Sequence, residues 1–147
     1  MSLQQSATRQ YSTFRVGDMF MGIELSRVQE LLRHQEMTSV PLAAREIEGL
    51  INLRGQIVTA LDVRRILGLP PVANDEALPM NIVIYSEGGP VSLLVDEICD
   101  VLDVPLEAAT PIPENIPPEQ RELLDGVYQL ENGLLLVLRT ERVLATG

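Results

Sequence analysis

The sequence predicts a mainly β protein built as two small barrels of about five short strands each, with little helix. Two observations carry that expectation. Apolar runs of strand length alternate with glycine-bearing turns along most of the chain. The chain also repeats itself. Residues 14–32 align without gaps on 84–102, a shift of 70 (84 less 14), and residues 49–67 align on 126–144, a shift of 77 (126 less 49). In the first match Met21, Ile23 and Leu25 fall on Val91, Leu93 and Val95. In the second, Gly49, Leu53, Leu61, Arg65 and Leu67 recur as identical residues. The seven extra positions lie in the proline-rich stretch around PLEAATPIPENIPPEQ. Two copies of one small β unit account for such a repeat. The hairpins alone also allow a single sandwich.

Residues 1–10 read as a disordered tail, and residues 11–147 as the folded domain. Tyr11–Val16 alternates, with Ser12, Phe14 and Val16 on one face; Gly17-Asp18 turns the chain, and Met19, Met21, Ile23 and Leu25 line the returning strand. Ser26 and Gln29 have the spacing of a capping box. RVQELLR after Ser26 is therefore expected to be helical, with Val28, Leu31 and Leu32 inward and Glu30 outward. Pro41 breaks the chain before GLINLRGQIVTALDVRRIL, residues 49–67, the segment around which the rest is organised. It reads as strand, tight turn at Arg54-Gly55, strand and short helix, with Arg54 lifted to the tip beside Gly55. Residues 11–69 form the first half, 70–79 an exposed connector rich in proline and acid, and 80–144 the second half. Strands exchanged between the halves are compatible with this pattern.

Composition excludes several function classes. Of 147 residues 46% are hydrophobic and 22% charged, with a formal net charge of −10. A nucleic-acid binder needs basic charge to displace counterions from phosphates, so neither nucleic acid nor an anionic membrane is an expected partner. No apolar run is long enough to span a bilayer, and MSLQQSATRQ lacks the apolar core of a secretory signal, so the expected location is the cytoplasm. Cys99 and His34 each stand alone. No intrachain disulfide and no thiolate metal cluster can form, and Cys99 in VDEICDVL reads as a small buried thiol.

The polar residues around the Arg54-Gly55 hairpin, Asn52, Arg54, Asp62, Arg64 and Arg65, read either as a recognition surface or as an exposed, internally salt-bridged hairpin end. The repeat offers a comparison. Arg54 falls on Glu131, Asp62 on Arg139 and Arg64 on Glu141, three charge reversals amid preserved apolar neighbours. A second class of function is an acidic Mg²⁺-dependent enzyme using Asp96, Glu97, Asp100 and Asp103, where Asp96 and Asp100 would share a face if that segment were helical. A small-ligand-binding β-barrel is a further alternative.

GLINLRGQIVTALDVR, together with YSTFRVGDMFMGIELSRVQELL, VSLLVDEICDVLDVP and GVYQLENGLLLVLRTERVL, resembles in order and spacing the CheW-like coupling proteins of bacterial chemotaxis. The resemblance covers nearly the whole chain. It implies a pair of five-stranded SH3-like barrels with a shared apolar seam, and a non-enzymatic adaptor without a cofactor. The implied partners are a methyl-accepting chemoreceptor's cytoplasmic tip and the regulatory domain of a histidine kinase, with recruitment to membrane receptor arrays. The expected receptor-contact residues are Gly49, Asn52, Arg54, Asp62, Arg64 and Val101. The expected kinase-contact residues are Leu25, Val28 and Glu30. Four departures stand out: Thr59 in place of a usual proline, Ser92 in place of a frequent glycine, Met19-Phe20-Met21 in place of a more polar turn, and Asn115 where an aromatic often stands. They leave room for an accessory, chemosensory-like pathway.

Overall fold

The computed structural model describes residues 7–72 and 78–145. The first half supplies β1 (Thr8–Val16), β2 (Met19–Glu24), β3 (Val28–Leu32), β4 (Ile47–Leu53), β5 (Gln56–Asp62) and helix α1 (Val63–Ile66). The second supplies β6 (Met80–Ile84), β7 (Val91–Val95), β8 (Glu97–Pro105), β9 (Ala109–Thr110), α2 (Pro118–Arg121), β10 (Leu124–Leu130), β11 (Gly133–Leu138) and α3 (Thr140–Leu144). One sheet has six strands in the order β8-β1-β2-β11-β10-β9, the other five in the order β3-β6-β7-β5-β4.

Each sheet is assembled from both halves. The hairpin β1-β2 lies between β8 and β11 of the second half, while β6-β7 lies between β3 and β5 of the first. Under the repeat, β1, β2 and β3 correspond to β6, β7 and β8, and β4-β5-α1 to β10-β11-α3. The two sheets therefore have the same construction with the copies interchanged. The sixth strand, β9, is two residues contributed by the proline-rich insertion. Among the described residues neither sheet is sealed into a barrel by its hydrogen bonds. The chain itself joins the edges: β8 continues through a 3-10 turn at Leu106–Ala108 into β9. On the other sheet the segment after β3 returns to pair Thr38 with Leu50 of β4.

Strand periodicity then explains where the core lies. Successive residues of a strand point to opposite faces. In β6, Ile82 and Ile84 enter one apolar cluster and Val83 another; in β11, Leu136 and Leu138 enter one and Leu135 and Val137 another. The shared cluster takes Phe14, Val16, Met21 and Ile23 from the six-stranded sheet and Leu61, Ile82, Ile84 and Leu93 from the five-stranded one. It fills the seam between the sheets. The smaller clusters lie inside each curl, Ile51, Val58, Val83 and Leu94 in one and Tyr11, Val104, Tyr128 and Leu135 in the other. Strands covered on both faces must be apolar at nearly every position, which is why runs such as LLLVL occur.

Two expectations are corrected here. RVQELLR is not helical. Leu25–Arg27 makes a single 3-10 turn without a side-chain cap, and Val28–Leu32 is strand β3. Pairing with β6, buried from Asn81 to Ile84, outweighs the weak local signal, and a bulge between Val28 and Glu30 absorbs the extra residue. Leu31 is left 39% exposed. Asp100 and Asp103 likewise lie in strand β8 rather than in a helix, and Asp96 sits at the bend between β7 and β8. β1 also begins at Thr8, inside the expected tail, because Thr8, Arg9 and Gln10 pair with Pro105, Val104 and Asp103. The rest of the tail and the middle of the connector lie outside the described residues.

Inside the six-stranded curl, the Tyr11 and Tyr128 hydroxyls lie 3.3 Å apart. Burial, reinforced by the Tyr128 hydrogen bond, pushes Tyr11 up to about 12, against the opposing pull of Arg9. The chain contains no lysine, all 11 of its basic residues being arginine. A phenol held neutral stabilises the fold fully below its ordinary value near 10, and that contribution is lost as pH rises toward 12. Denaturant unfolding between pH 8 and 12 should show a fall on the order of 2 kcal/mol that Tyr11→Phe largely flattens. An equally steep fall in the variant would assign the alkaline transition elsewhere.

Candidate functional site

The β4-β5 hairpin turns through two residues, Arg54 at φ 53° and Gly55 at φ 86°. Positive φ at both central positions is the type I′ geometry, whose twist matches that of the flanking strands. Arg54 holds this conformation without being glycine. Asn52 Oδ1 accepts the Gly55 N–H at 2.9 Å and closes the turn. Arg54 is thereby aimed across the open side of the curled sheet, where its Nη2 donates to Glu30 Oε1 of β3 at 2.6 Å. The expected receptor residue Arg54 and the expected kinase residue Glu30 are one ion pair. It links the hairpin tip to the opposite sheet edge.

The other candidates fall into two groups. Gly49 is buried, and a Cβ there would come within 2.7 Å of the Thr38 carbonyl oxygen, so its bareness admits the Thr38–Leu50 pairing. Asp62 caps α1, accepting the N–H of Arg64 at 2.9 Å and of Arg65 at 3.4 Å. Arg64 is a staple. Its Nε and Nη2 donate to the two carboxylate oxygens of Asp96 at 2.8 and 2.7 Å, and Nη1 donates to the Pro70 carbonyl at 2.6 Å. Asp96 also accepts the N–H of Gly17, in the β1-β2 turn of the other sheet, at 2.7 Å. Gly49, Asp62 and Arg64 all make contacts that organise the scaffold. Val101 is 43% exposed and Ile57, cross-strand from Asn52, is 60% exposed. Leu25 and Val28 are half-buried, with Val28 packed on the seam.

The sign reversals between copies now have a physical reason. Arg64 on α1 pairs with Asp96, whereas its counterpart Glu141 on α3 pairs with Arg27 at 3.3 Å. The ion pair is kept while its polarity is exchanged. Asp62 and its counterpart Arg139 are likewise each bonded, Asp62 to the start of α1 and Arg139 to Asp125 at 3.9 Å. Arg54 and Glu131 are the exception. Glu131 is not part of a left-handed turn, since the glycine of that hairpin, Gly133 at φ 134°, lies one place later than Gly55. What the sequence left hidden was Asp96, whose partner lies 32 positions away and whose signal was an acid among several.

The acids of the alternative reading are not gathered. Asp96 is committed to Arg64, and no group of three or more His, Cys, Asp or Glu is placed to hold a metal among the described residues. His34 and Cys99 line different concavities. Burial, with Glu97 adding to it, pushes the Cys99 thiol up, away from the reactive thiolate.

Comparison with known proteins decides the family. The family model for the CheW-like domain matches residues 10–147. The chain belongs to that family. This CheW-like chain is 29% identical over 133 residues to "Probable chemotaxis protein CheW" of Rhizobium etli, covering 90% of this chain and 85% of that one. It is 27% identical over 142 residues to "Chemotaxis protein CheW" of Klebsiella aerogenes, covering 97% and 85%. Its fold matches the crystal structure of scaffolding protein TtCheW from Thermoanaerobacter tengcongensis with a TM-score of 0.79 over 90% of each chain, at 20% identity. Family membership makes this CheW-like chain a chemotaxis-type coupling adaptor, a scaffold of signal transduction and not an enzyme. Among the described residues no helix is long and apolar enough to cross a membrane.

The Asp96 staple is testable by pH. Burial alone would raise its carboxyl, but the Arg64 hydrogen bonds and the Gly17 N–H outweigh burial and hold it below the ordinary value. The folded state therefore takes up this proton less readily than the unfolded chain. Its stabilisation is fully present above about pH 4 and is lost as pH falls through the lowered value. At pH 7, Asp96→Asn should cost about 2 kcal/mol, and the gap to the parent should shrink as pH falls below the ordinary carboxylate value of about 4. A gap that does not change with pH would show that the charge contributes nothing.

Proposed function

We propose that this chain couples the cytoplasmic tip of a methyl-accepting chemoreceptor to the regulatory domain of a histidine kinase, in the cytoplasm and recruited to membrane receptor arrays. The observation that supports this most is the hairpin tip. Its turn is fixed by Asn52 and Gly55, and it presents a 69% exposed guanidinium next to the exposed aliphatic Ile57. A helical receptor hairpin offers apolar ridges with carboxylates and terminal carbonyls between them. Ile57 and Val101 suit the ridges, and Arg54 suits the acceptors. In this reading Gly49, Asn52, Asp62 and Arg64 serve the receptor indirectly, by holding the hairpin and its flanking loop. Leu25, Val28 and Glu30, on and before the β3 edge, meet the kinase domain. Since Arg54 and Glu30 share one ion pair, a partner that takes either residue alters what the other presents.

Arg54→Asn separates folding from binding. Asparagine tolerates the left-handed conformation better than arginine, and an exposed ion pair is worth about 1 kcal/mol at most, so stability should stay within about 1 kcal/mol of the parent. Loss of a charge-assisted hydrogen bond costs about 1.5 to 3 kcal/mol, so affinity for an isolated receptor tip, measured by titration calorimetry, should fall tenfold or more. Undiminished binding to the receptor would remove Arg54 from the contact. Failure of the parent to bind either receptor tip or kinase domain would end the coupling reading.

A further inference from the structure

Leu42 breaks two rules at once. Val40, Pro41, Leu42 and Ala43 form a β-turn in which the Ala43 N–H donates to the Val40 carbonyl at 3.3 Å. Pro41 holds the second position and Leu42 the third at φ 64°, the type II geometry whose third position asks for glycine or asparagine. A leucine there is strained, and the fold offers it no burial in return, because Leu42 is 105% exposed. The tip around it, residues 37–44, carries no charge in a chain whose net charge is −10. Both feet of the tip, Met37 and Arg45, line a concavity of about 480 Å³. Leu69, Val72, Leu78 and Leu94 supply its apolar walls, and Val72 and Leu78 are themselves 37% and 57% exposed. The strand registers put this concavity at the Asp62–Leu94 end of the five-stranded sheet, whereas the Arg54 turn lies beyond the Thr59–Val91 end.

We propose that the two features belong together, and that the occupant of the concavity is the Leu42 tip of a second copy of the chain. Peg and socket adjoin on one surface, so a twofold axis beside Arg45 seats each tip in the other copy's socket and fills both at once. Burial against Leu78 and Leu94 then supplies the apolar contact that the strained leucine lacks in the single chain. The charges at the foot of the tip suit the same axis. Among the described residues the Arg45 guanidinium and the Glu46 carboxylate have no hydrogen bond or ion pair, and a twofold sets each Arg45 opposite the other copy's Glu46. A bilayer is a poorer match, since one leucine on a short turn offers little apolar area and the chain around it is acidic. The surface leaves the Arg54 turn free and does not rest on the coupling reading.

Sedimentation equilibrium of the full chain, from micromolar to millimolar concentration, tests this. The parent should pass from monomer to dimer. Leu42→Asn suits the left-handed turn better and removes the peg. Its denaturant midpoint, compared where both chains are monomeric, should therefore equal or exceed the parent's, while its dimerisation weakens at least about tenfold. Leu78→Glu spoils the exposed rim of the socket and should weaken the dimer likewise. Arg45→Glu sets acid against acid across the axis and should weaken it too; adding Glu46→Arg to that variant exchanges the two charges and should restore it. Arg54→Asn should dimerise as the parent does. A parent that stays monomeric throughout, a dimer indifferent to Leu42→Asn, or a double variant no better than Arg45→Glu would each overturn the proposal. So would a dimer lost with Arg54→Asn, which would place the interface at the hairpin. Leu42-dependent binding of a monomeric parent to phosphatidylcholine vesicles would assign the tip to a lipid surface instead.

Discussion

The seam between the sheets is the constraint on which the rest depends. Phe14, Ile23, Ile82, Leu93, Leu136 and Val143 pack there with essentially no exposure or very little, and they come from both ends of the sequence. At about 25 cal/mol per Å² of apolar surface removed from water, this cluster outweighs the small cores inside each curl. Neither half of the chain can bury it alone. The exchange of β3 and β8 between copies follows, because each initial hairpin completes its sheet only with strands from the other copy. The Arg64, Asp96 and Gly17 contacts sit at the crossing point, where β7 of one sheet hands the chain to β8 of the other.

Much of this was legible in the sequence because the repeat is written in apolar positions. The second match placed β10, β11 and α3 within one residue of β4, β5 and α1 shifted by 77. The hairpin at Arg54-Gly55 was legible from its own turn chemistry. The helix expected at RVQELLR was not there, since capping spacing is a local signal worth little beside pairing with a strand such as β6, buried on both faces. The departures from the family pattern are partly explained. Ser92 is fully buried and donates to Asn81 Oδ1 at 2.8 Å, while Asn81 Nδ2 donates to the Arg33 carbonyl at 3.1 Å. A hydroxyl there satisfies an amide that glycine would leave short of a partner. Nothing in the structure explains Thr59 in place of proline.

The candidate residues were legible in the sequence, and their bonding partners were not. The charged residues of the hairpin read as one set, and the fold gives them different partners. Asp62 bonds to the start of α1 and Arg64 to Asp96, while Arg54 stands at the tip and reaches Glu30. The comparison between copies pointed at all three, because a sign reversal looks the same whether it marks a binding residue or a structural pair whose polarity has been exchanged. Only the partners' positions tell them apart. Asp96 and Arg27 are far from Arg64 and Glu141 in sequence and meet them only once the strands are exchanged. One curl is bridged by Arg54 and Glu30, while the corresponding positions of the other, Glu131 and Asp100, are both acidic, which gives a nearly symmetric scaffold two unlike faces.

Separating the halves tests the account most directly. Fragments 1–72 and 78–147, prepared apart, should each lack a cooperative unfolding transition, since each holds only part of both sheets and one wall of the seam. Mixed, they should form a one-to-one complex that recovers the β-sheet signal and a single cooperative transition. Cooperative folding of either fragment alone would contradict a seam and sheets built jointly by both halves.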